Sequence, residues 1–321
     1  MPGVRRNRVA AGASVEPMPD VSVTDLGHDL YLIDAFMHDE AERLACYLFD
    51  TPNRTLIECG PSRSIGHLYE ALDHLGIDDL AVMAVTHIHL DHAGGAGHLA
   101  QRFPNASIGV HAAGARHLIA PERLWDSATR IYSEQGMLDL WGPMEPLTED
   151  RLLILDEGST IPLGNGRAVE VMYTPGHAQH HIVFFEQTTG ACFVGDSVGI
   201  AFPHGHMVQP NTPPPDFDPD LITHQLRRMA TREPAFLGFA HFGADPRPQL
   251  TLALAEERLW EWVRWVEEVT PDDNISEKLR RWVLDDYRAQ GYDEALIDRY
   301  DRNSYWPMQA AGIERWLSIR K

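Results

Sequence analysis

Cysteine and long apolar runs are scarce in this 321-residue sequence. The three cysteines, Cys46, Cys59 and Cys192, are few, odd in number and widely spaced, which excludes a disulfide scaffold and favours the cytoplasm. The sequence contains no run of about 18 apolar residues, so we expect no membrane-spanning helix. Residues 1–20 include arginines but no apolar core, so we interpret them as a disordered tail and not as a signal peptide.

Positive charge is also scarce, because Lys278 and Lys321 are the only lysines and the formal net charge is −20. A surface this acidic repels phosphate groups, which argues against nucleic acids and anionic membranes as partners. No sequence repeat of 20–50 residues occurs, which argues against a solenoid. The 44% hydrophobic content is sufficient for one large domain or for one domain with an appendage.

Short apolar strands alternate with helices over most of the chain. The order of elements is alike in residues 22–115 and 150–245, which predicts two facing sheets with helices outside. Residues 115–150 break this pattern and are rich in Trp, Tyr and Met. We interpret that segment as a helical insertion over one rim of a domain that spans 21–245.

The last part of the chain, 246–321, has a helical pattern. Apolar residues recur at three- and four-residue steps over 252–269, and further helices are predicted from about Ser276, Asp293 and Pro307. Aromatic residues surround the helix predicted over 252–269, which indicates burial against a second surface. That surface is the rest of the chain or another subunit, so a homodimer is one possibility.

A dense group of metal-binding side chains follows the buried strand predicted over 80–86. The stretch AVTHIHLDHAGGAGH, residues 84–98, contains His87, His89, Asp91 and His92. Imidazole nitrogen and carboxylate oxygen together suit Zn²⁺, Fe or Mn. His87 and His89 alternate along the chain, so both can point the same way, while Asp91 and His92 follow where the chain turns. One stretch can therefore provide ligands to two metals.

The sequence THIHLDH resembles the signature of the metallo-β-lactamase superfamily. The resemblance implies three further ligands on loops after later strands, and YTPGHAQHH, FVGDSVG and GFAHFG supply them as His177, Asp196 and His241. It also implies an α+β fold, a four-layer αβ/βα sandwich, here with a C-terminal helical extension.

The resemblance further implies a site for two divalent metal ions, with Zn²⁺ expected and Fe or Mn possible. Asp91 would orient a hydroxide that bridges the metals, which makes it the catalytic residue. The implied ligands are His87, His89 and His177 for the first metal, Asp91, His92 and His241 for the second, and Asp196 between them.

Several branches of the superfamily share these ligands, so the departures matter. The stretch after Asp196 lacks the Gly-Cys-Gly-Arg-type sequence of glyoxalase II enzymes, and Gly199 stands where similar lactonases often have Tyr. We predict a hydrolase of a small acyl ester, thioester or lactone. One alternative is a mononuclear iron persulfide dioxygenase that uses His87, His177 and Asp196. The other is a non-catalytic, metal-bound protein that senses ligands.

Further residues receive individual predictions. Cys192 is assigned to the core, one of His180 and His181 to orienting His177, and His98, His111 and His117 to helices without a site role. Four residues are candidates for contacting the substrate: His204, His206, Trp125 and Tyr132.

Overall fold

The fold is described here from a computed structural model, which describes residues 21–202, 207–269 and 273–320. The predicted tail, residues 1–20, lies outside the described residues, as do His204 and His206. Within the described ranges, no helix is both long and apolar enough to cross a membrane.

The first sheet has seven strands, and their order in space is their order in the chain. The first four strands pair antiparallel, and β4 to β7 pair parallel. Every residue of β3 and β5 is buried, because helices or the second sheet cover both faces. The strands are β1 (Val23–Gly27), β2 (Leu30–Asp34), β3 (Ala45–Phe49), β4 (Thr55–Ile57), β5 (Val82–Ala84), β6 (Ser107–Val110) and β7 (Leu152–Ile154).

The second sheet has six strands, in the order β13-β12-β11-β10-β9-β8. All neighbours pair antiparallel except β11 and β12, which are parallel. The strands are β8 (Thr160–Gly164), β9 (Arg167–Tyr173), β10 (Ile182–Glu186), β11 (Ala191–Gly195), β12 (Phe236–Phe239) and β13 (Gly243–Asp245).

The two sheets pack face to face around aromatic side chains. The ring centroid of Phe193 lies 4.7 Å from that of Tyr47 and 5.7 Å from that of Phe49. The Tyr47 hydroxyl donates to the carbonyl of Phe239 at 2.8 Å, which also joins the sheets. Cys192 is buried in the same cluster, as predicted for a core residue.

Helices cover the outer faces of both sheets, which confirms the predicted four-layer α+β arrangement. Apolar residues of α1 and α3 pack on the first sheet, and those of α6 to α10 join the cluster that includes the second sheet. The helices are α1 (Ile65–His74), α2 (Leu90–Ala93), α3 (Ala96–Arg102), α4 (Ala112–Ile119), α5 (Glu122–Gly136), α6 (Pro219–Thr231), α7 (Pro248–Val269), α8 (Ile275–Ala289), α9 (Glu294–Arg302) and α10 (Trp306–Ile319). A π-helical turn, Met137–Trp141, follows α5.

The aromatic residues around α7 find their partners within the same chain. Trp260 donates from Nε1 to Thr223 Oγ1 at 2.8 Å, and its ring lies 6.0 Å from that of Trp316. Trp265 stacks on Trp282 at 5.3 Å between centroids. These contacts within the chain account for the aromatic residues around α7 without a second subunit. The homodimer therefore remains a prediction.

Two details differ from the sequence prediction. Strand β7 pairs with β6 in the first sheet, so the segment that begins at residue 150 does not start the second sheet. After the insertion, the chain adds one more strand to the first sheet. His111 was predicted inside a helix, but its backbone is extended and it is the N-cap residue before α4. Its side chain accepts a hydrogen bond from the Ala113 amide, as N-cap residues do.

Candidate metal centre

The loops after four strands place the seven predicted ligands at one end of the two facing sheets. His87 and His89 follow β5, and His89 is the N-cap of α2, which carries Asp91 and His92. The other three follow β9, β11 and β12 as His177, Asp196 and His241, respectively. The structure brings all seven together as two neighbouring groups of potential ligand atoms, each within 4.8 Å: His87, His89, His177 and Asp196; and Asp91, His92 and His241.

In the first group three imidazoles converge. His89 Nδ1 lies 2.9 Å from His87 Nε2 and 3.1 Å from His177 Nε2. One oxygen of Asp196, Oδ2, lies 3.5 Å from His177 Nε2 and 3.9 Å from His87 Nε2. These four atoms surround one point and are spaced for a single ion.

The second group meets the other oxygen of the same carboxylate. Asp196 Oδ1 lies 3.4 Å from His92 Nε2 and 3.7 Å from His241 Nε2. Asp91 Oδ2 lies 3.3 Å from His241 Nε2 and 3.7 Å from His92 Nε2. Asp196 therefore stands between the two groups and presents one oxygen to each.

Among the residues that the structure describes, His92 Nε2 and Asp196 Oδ1 at this junction have no hydrogen-bond partner and are buried. Buried polar groups are normally satisfied, so these two atoms call for a further partner. A metal ion fits both atoms, because imidazole nitrogen and carboxylate oxygen are ligands of Zn²⁺ and similar divalent ions.

The electrostatics of the cluster suit metal binding. Burial holds the pKa of His87 well below its usual value and that of His89 at about 3, so both imidazoles are neutral at pH 7. Burial alone would raise the pKa of Asp196, but His92 and His241 lower it well below its usual value. Burial disfavours the charged form of His92, yet Asp196 and Asp91 raise its pKa well above the ordinary range, so His92 must release a proton to bind a metal ion. The carboxylates thus stay ionised and attract positive charge.

The imidazoles are oriented by partners that sequence reasoning missed. Glu58 Oε1 accepts from Thr86 Oγ1 at 2.5 Å and lies 3.2 Å from His92 Nδ1. Thr86 Oγ1 also lies 3.0 Å from His87 Nδ1, so one carboxylate lies beside His92 as an ion-pair partner and reaches His87 through Thr86. A signal did exist, because Glu58 is a charged residue directly after the buried strand β4.

Backbone carbonyls hold two further ligand imidazoles. His177 Nδ1 lies 3.1 Å from the Asn211 carbonyl, and His241 Nδ1 lies 2.9 Å from the Arg43 carbonyl. The Asn211 side chain in turn donates from Nδ2 to Asp196 Oδ2 at 2.7 Å.

The prediction that His180 or His181 orients His177 finds no support in these contacts. His181 Nε2 accepts from the backbone amide of Asp196 at 3.1 Å, and its Nδ1 lies 2.9 Å from Thr174 Oγ1. His181 therefore fixes the loop that carries Asp196. His180 accepts from the amide of Ile88 and lines the cavity described next.

A cavity of about 600 Å³ opens over the cluster. Five of the seven candidate ligands line it: His89, Asp91, His177, Asp196 and His241. Of the predicted substrate contacts, Tyr132 lines this cavity, whereas Trp125 is not among its lining residues and packs on the core cluster beneath the first sheet. His117 also lines the cavity, although a helical residue without a site role was predicted.

Comparison with known proteins agrees with this architecture. The family model of the metallo-beta-lactamase superfamily matches residues 24–241. The metallo-beta-lactamase fold-containing protein ST1585 of Sulfurisphaera tokodaii is 30% identical over 192 residues, which are 59% of this chain and 68% of that protein.

Solved structures share the fold. The crystal structure of ST1585 aligns with a TM-score of 0.60 at 24% identity, over 85% of this chain and 93% of that one. The metallo-beta-lactamase family protein TTHA1429 of Thermus thermophilus aligns with a TM-score of 0.67 at 18% identity, over 92% and 95%. MEM-A1, a subclass B3 metallo-beta-lactamase from a soil metagenome, gives 0.56 at 19% identity, over 74% and 94%.

These structural likenesses establish the fold, and the family match over more than half of the chain establishes membership. Most members of the family are metal-dependent hydrolases. The chain belongs to the metallo-beta-lactamase superfamily.

Proposed function

We propose that this protein is a dinuclear metal-dependent hydrolase that acts on a small acyl ester, thioester or lactone. The observation that carries the proposal is the position of Asp196. Its Oδ2 faces the imidazoles of His87 and His177, and its Oδ1 faces those of His92 and His241. A carboxylate with one oxygen toward each of two ligand groups is suited to join two ions.

Two bound divalent ions would lower the pKa of a shared water toward neutrality and stabilise negative charge on a substrate carbonyl oxygen. Their four positive charges exceed the two negative charges of Asp91 and Asp196. The protein therefore needs no separate cation beside the reacting carbonyl, and no nucleophilic side chain is required.

Asp91 would orient the attacking water. Its side chain is 22% exposed, whereas those of His92 and Asp196 are almost completely buried, so its carboxylate borders the cavity. Burial raises the pKa of Asp91, but the combined effect of His92 and His241 is larger and brings the pKa below its usual value. An ionised carboxylate at this position can accept a hydrogen bond from water and so orient it.

The test compares zinc-loaded, metal-free and Asp91→Asn protein on a panel of esters, thioesters and lactones. We expect turnover that depends on two ions per chain and falls by at least about 10²-fold in Asp91→Asn, because the change alters a ligand of the second metal and the carboxylate that orients the water. Asp126→Asn, at an exposed position of α5, is the control. If metal-free and loaded protein behave alike on every substrate, the proposal is wrong.

A mononuclear iron persulfide dioxygenase is the second candidate, because His87, His177 and Asp196 do lie together. The position of His89 favours the hydrolase, since its Nδ1 lies within 3.1 Å of both neighbouring imidazoles and would be left without a role. A metal content of one iron per chain, together with oxygen consumption when glutathione persulfide is the substrate, would identify the dioxygenase. Ligand binding without turnover across both assays would decide for a sensing protein.

A further inference from the structure

Helix α5 of the insertion has an apolar stripe that lines the cavity. Leu124, Ala128, Ile131 and Tyr132 are spaced four, seven and eight residues along the helix, so they share one face, and all four line the cavity. Ala128 of this helix is buried. Ile131 remains 43% exposed, so much of its apolar surface borders the cavity or solvent instead of the protein core.

The start of α10 supplies further apolar surface to the same cavity. Tyr305, 41% exposed, and Met308 both line it. Tyr132 connects this segment to α5, because its ring lies 5.5 Å from the ring of Tyr305 and its hydroxyl lies 3.9 Å from Met308 Sδ. The insertion and the C-terminal segment thus border one cavity that also contains the candidate metal ligands.

We propose that the substrate carries an apolar chain that lies along the α5 stripe while its carbonyl faces the metal ligands. The inference rests on the proposed hydrolase function and names its substrate class, an ester, thioester or lactone with an aliphatic or aromatic substituent. The apolar stripe of α5 and the candidate metal ligands line the same cavity, so one substrate molecule can contact both. A cavity of about 600 Å³ is within the range that holds a drug-sized molecule.

The expected dependence of kcat/KM on chain length follows from the apolar surface that the substrate buries on binding. Each substrate methylene that is fully removed from water stabilises the bound state by about 0.8 kcal/mol, which is a factor of about four in kcat/KM. Ile131 and Tyr305 are partly exposed, so the chain would be only partly buried, and we expect a gain of about twofold to threefold per methylene. Butanoyl and octanoyl esters should therefore be hydrolysed progressively better than acetyl esters of the same alcohol. A parallel series of acetates with lengthening alcohols distinguishes an acyl chain from an alcohol chain along α5.

The decisive variant is Ile131→Asn, with Ile119→Asn as its matched control. Ile119 is 38% exposed on α4 and does not line the cavity. We expect Ile131→Asn to reduce the ratio of kcat/KM for the longest over the shortest substrate about tenfold, and Ile119→Asn to preserve that ratio. Hydrolysis without dependence on chain length in either series, or an unchanged ratio in Ile131→Asn, overturns the inference and leaves the hydrolase function intact.

Binding provides a readout that does not depend on turnover. Calorimetric titration of the zinc-loaded protein with octanoate and with acetate should give tighter octanoate binding, weakened by Ile131→Asn and unaffected by Ile119→Asn. If no substrate of any length is hydrolysed, the hydrolase proposal fails and this titration decides the inference alone. Equal affinity for octanoate and acetate then overturns it.

Discussion

Replacement of Glu58 by Gln should weaken metal binding at both proposed sites. Glu58 Oε1 lies 3.2 Å from Nδ1 of His92 and accepts from Thr86, whose hydroxyl lies 3.0 Å from Nδ1 of His87. Groups that hold metal-ligating histidines from outside contribute about 10–100-fold to metal affinity. That range corresponds to about 1.4–2.7 kcal/mol per ion. Gln keeps the shape and an acceptor oxygen, so the change removes mainly the negative charge.

Thr86→Val is the matched comparison, because it removes the link to His87 and leaves the contact between Glu58 and His92. Competition titration of each variant with a chromogenic chelator measures the two zinc affinities. We expect two weakened sites in Glu58→Gln and one in Thr86→Val. Wild-type affinity at both sites of Glu58→Gln would refute the reasoning, as would equal weakening of both sites in Thr86→Val.

Three further predictions concern stability. Gln309→Leu leaves the Thr212 amide and Asn211 Oδ1 without a partner, so urea unfolding should show a loss of about 2–4 kcal/mol, and no loss would contradict this. Zinc at 100 times its Kd should stabilise the protein by about 2.7 kcal/mol per site over the chelated form, which calorimetry would measure as a rise in Tm. Burial lowers the pKa of His38 from 6.5 to about 4, so its neutral form stabilises the fold above pH 6.5. That contribution is lost as pH falls toward 4, and the unfolding free energy of metal-free His38→Gln should decline less steeply over this interval.

The spacing of His87, His89, Asp91 and His92 marked one part of the candidate site, and the resemblance to the superfamily implied the other three ligands. His87 and His89 alternate after a buried strand, and the structure brings them together with the residues after β9, β11 and β12. The supporting residues were missed because their contacts depend on pairing between distant segments. Glu58 meets Thr86 because β4 pairs in parallel with β5, and Gln309 meets Asn211 across 98 residues of sequence.

Strand β8 was predictable and was missed, whereas a strand was predicted at β9. Strands β8 and β9 form a hairpin whose two-residue loop is Asn165–Gly166, and both residues have positive φ. An Asn-Gly pair between apolar stretches is a strong hairpin signal, because these residues tolerate that backbone conformation. The walls of the cavity were harder to predict, since α5 lies over the ligands only through tertiary packing.

The most direct test of the two-metal account is a zinc-edge anomalous difference map from crystals of the zinc-loaded protein. We expect two peaks about 3.5–4 Å apart, the spacing typical of dinuclear hydrolytic sites, one on each side of the Asp196 carboxylate. The first should contact His87, His89 and His177. A single peak in fully loaded protein, or two peaks that do not share Asp196, would contradict the account.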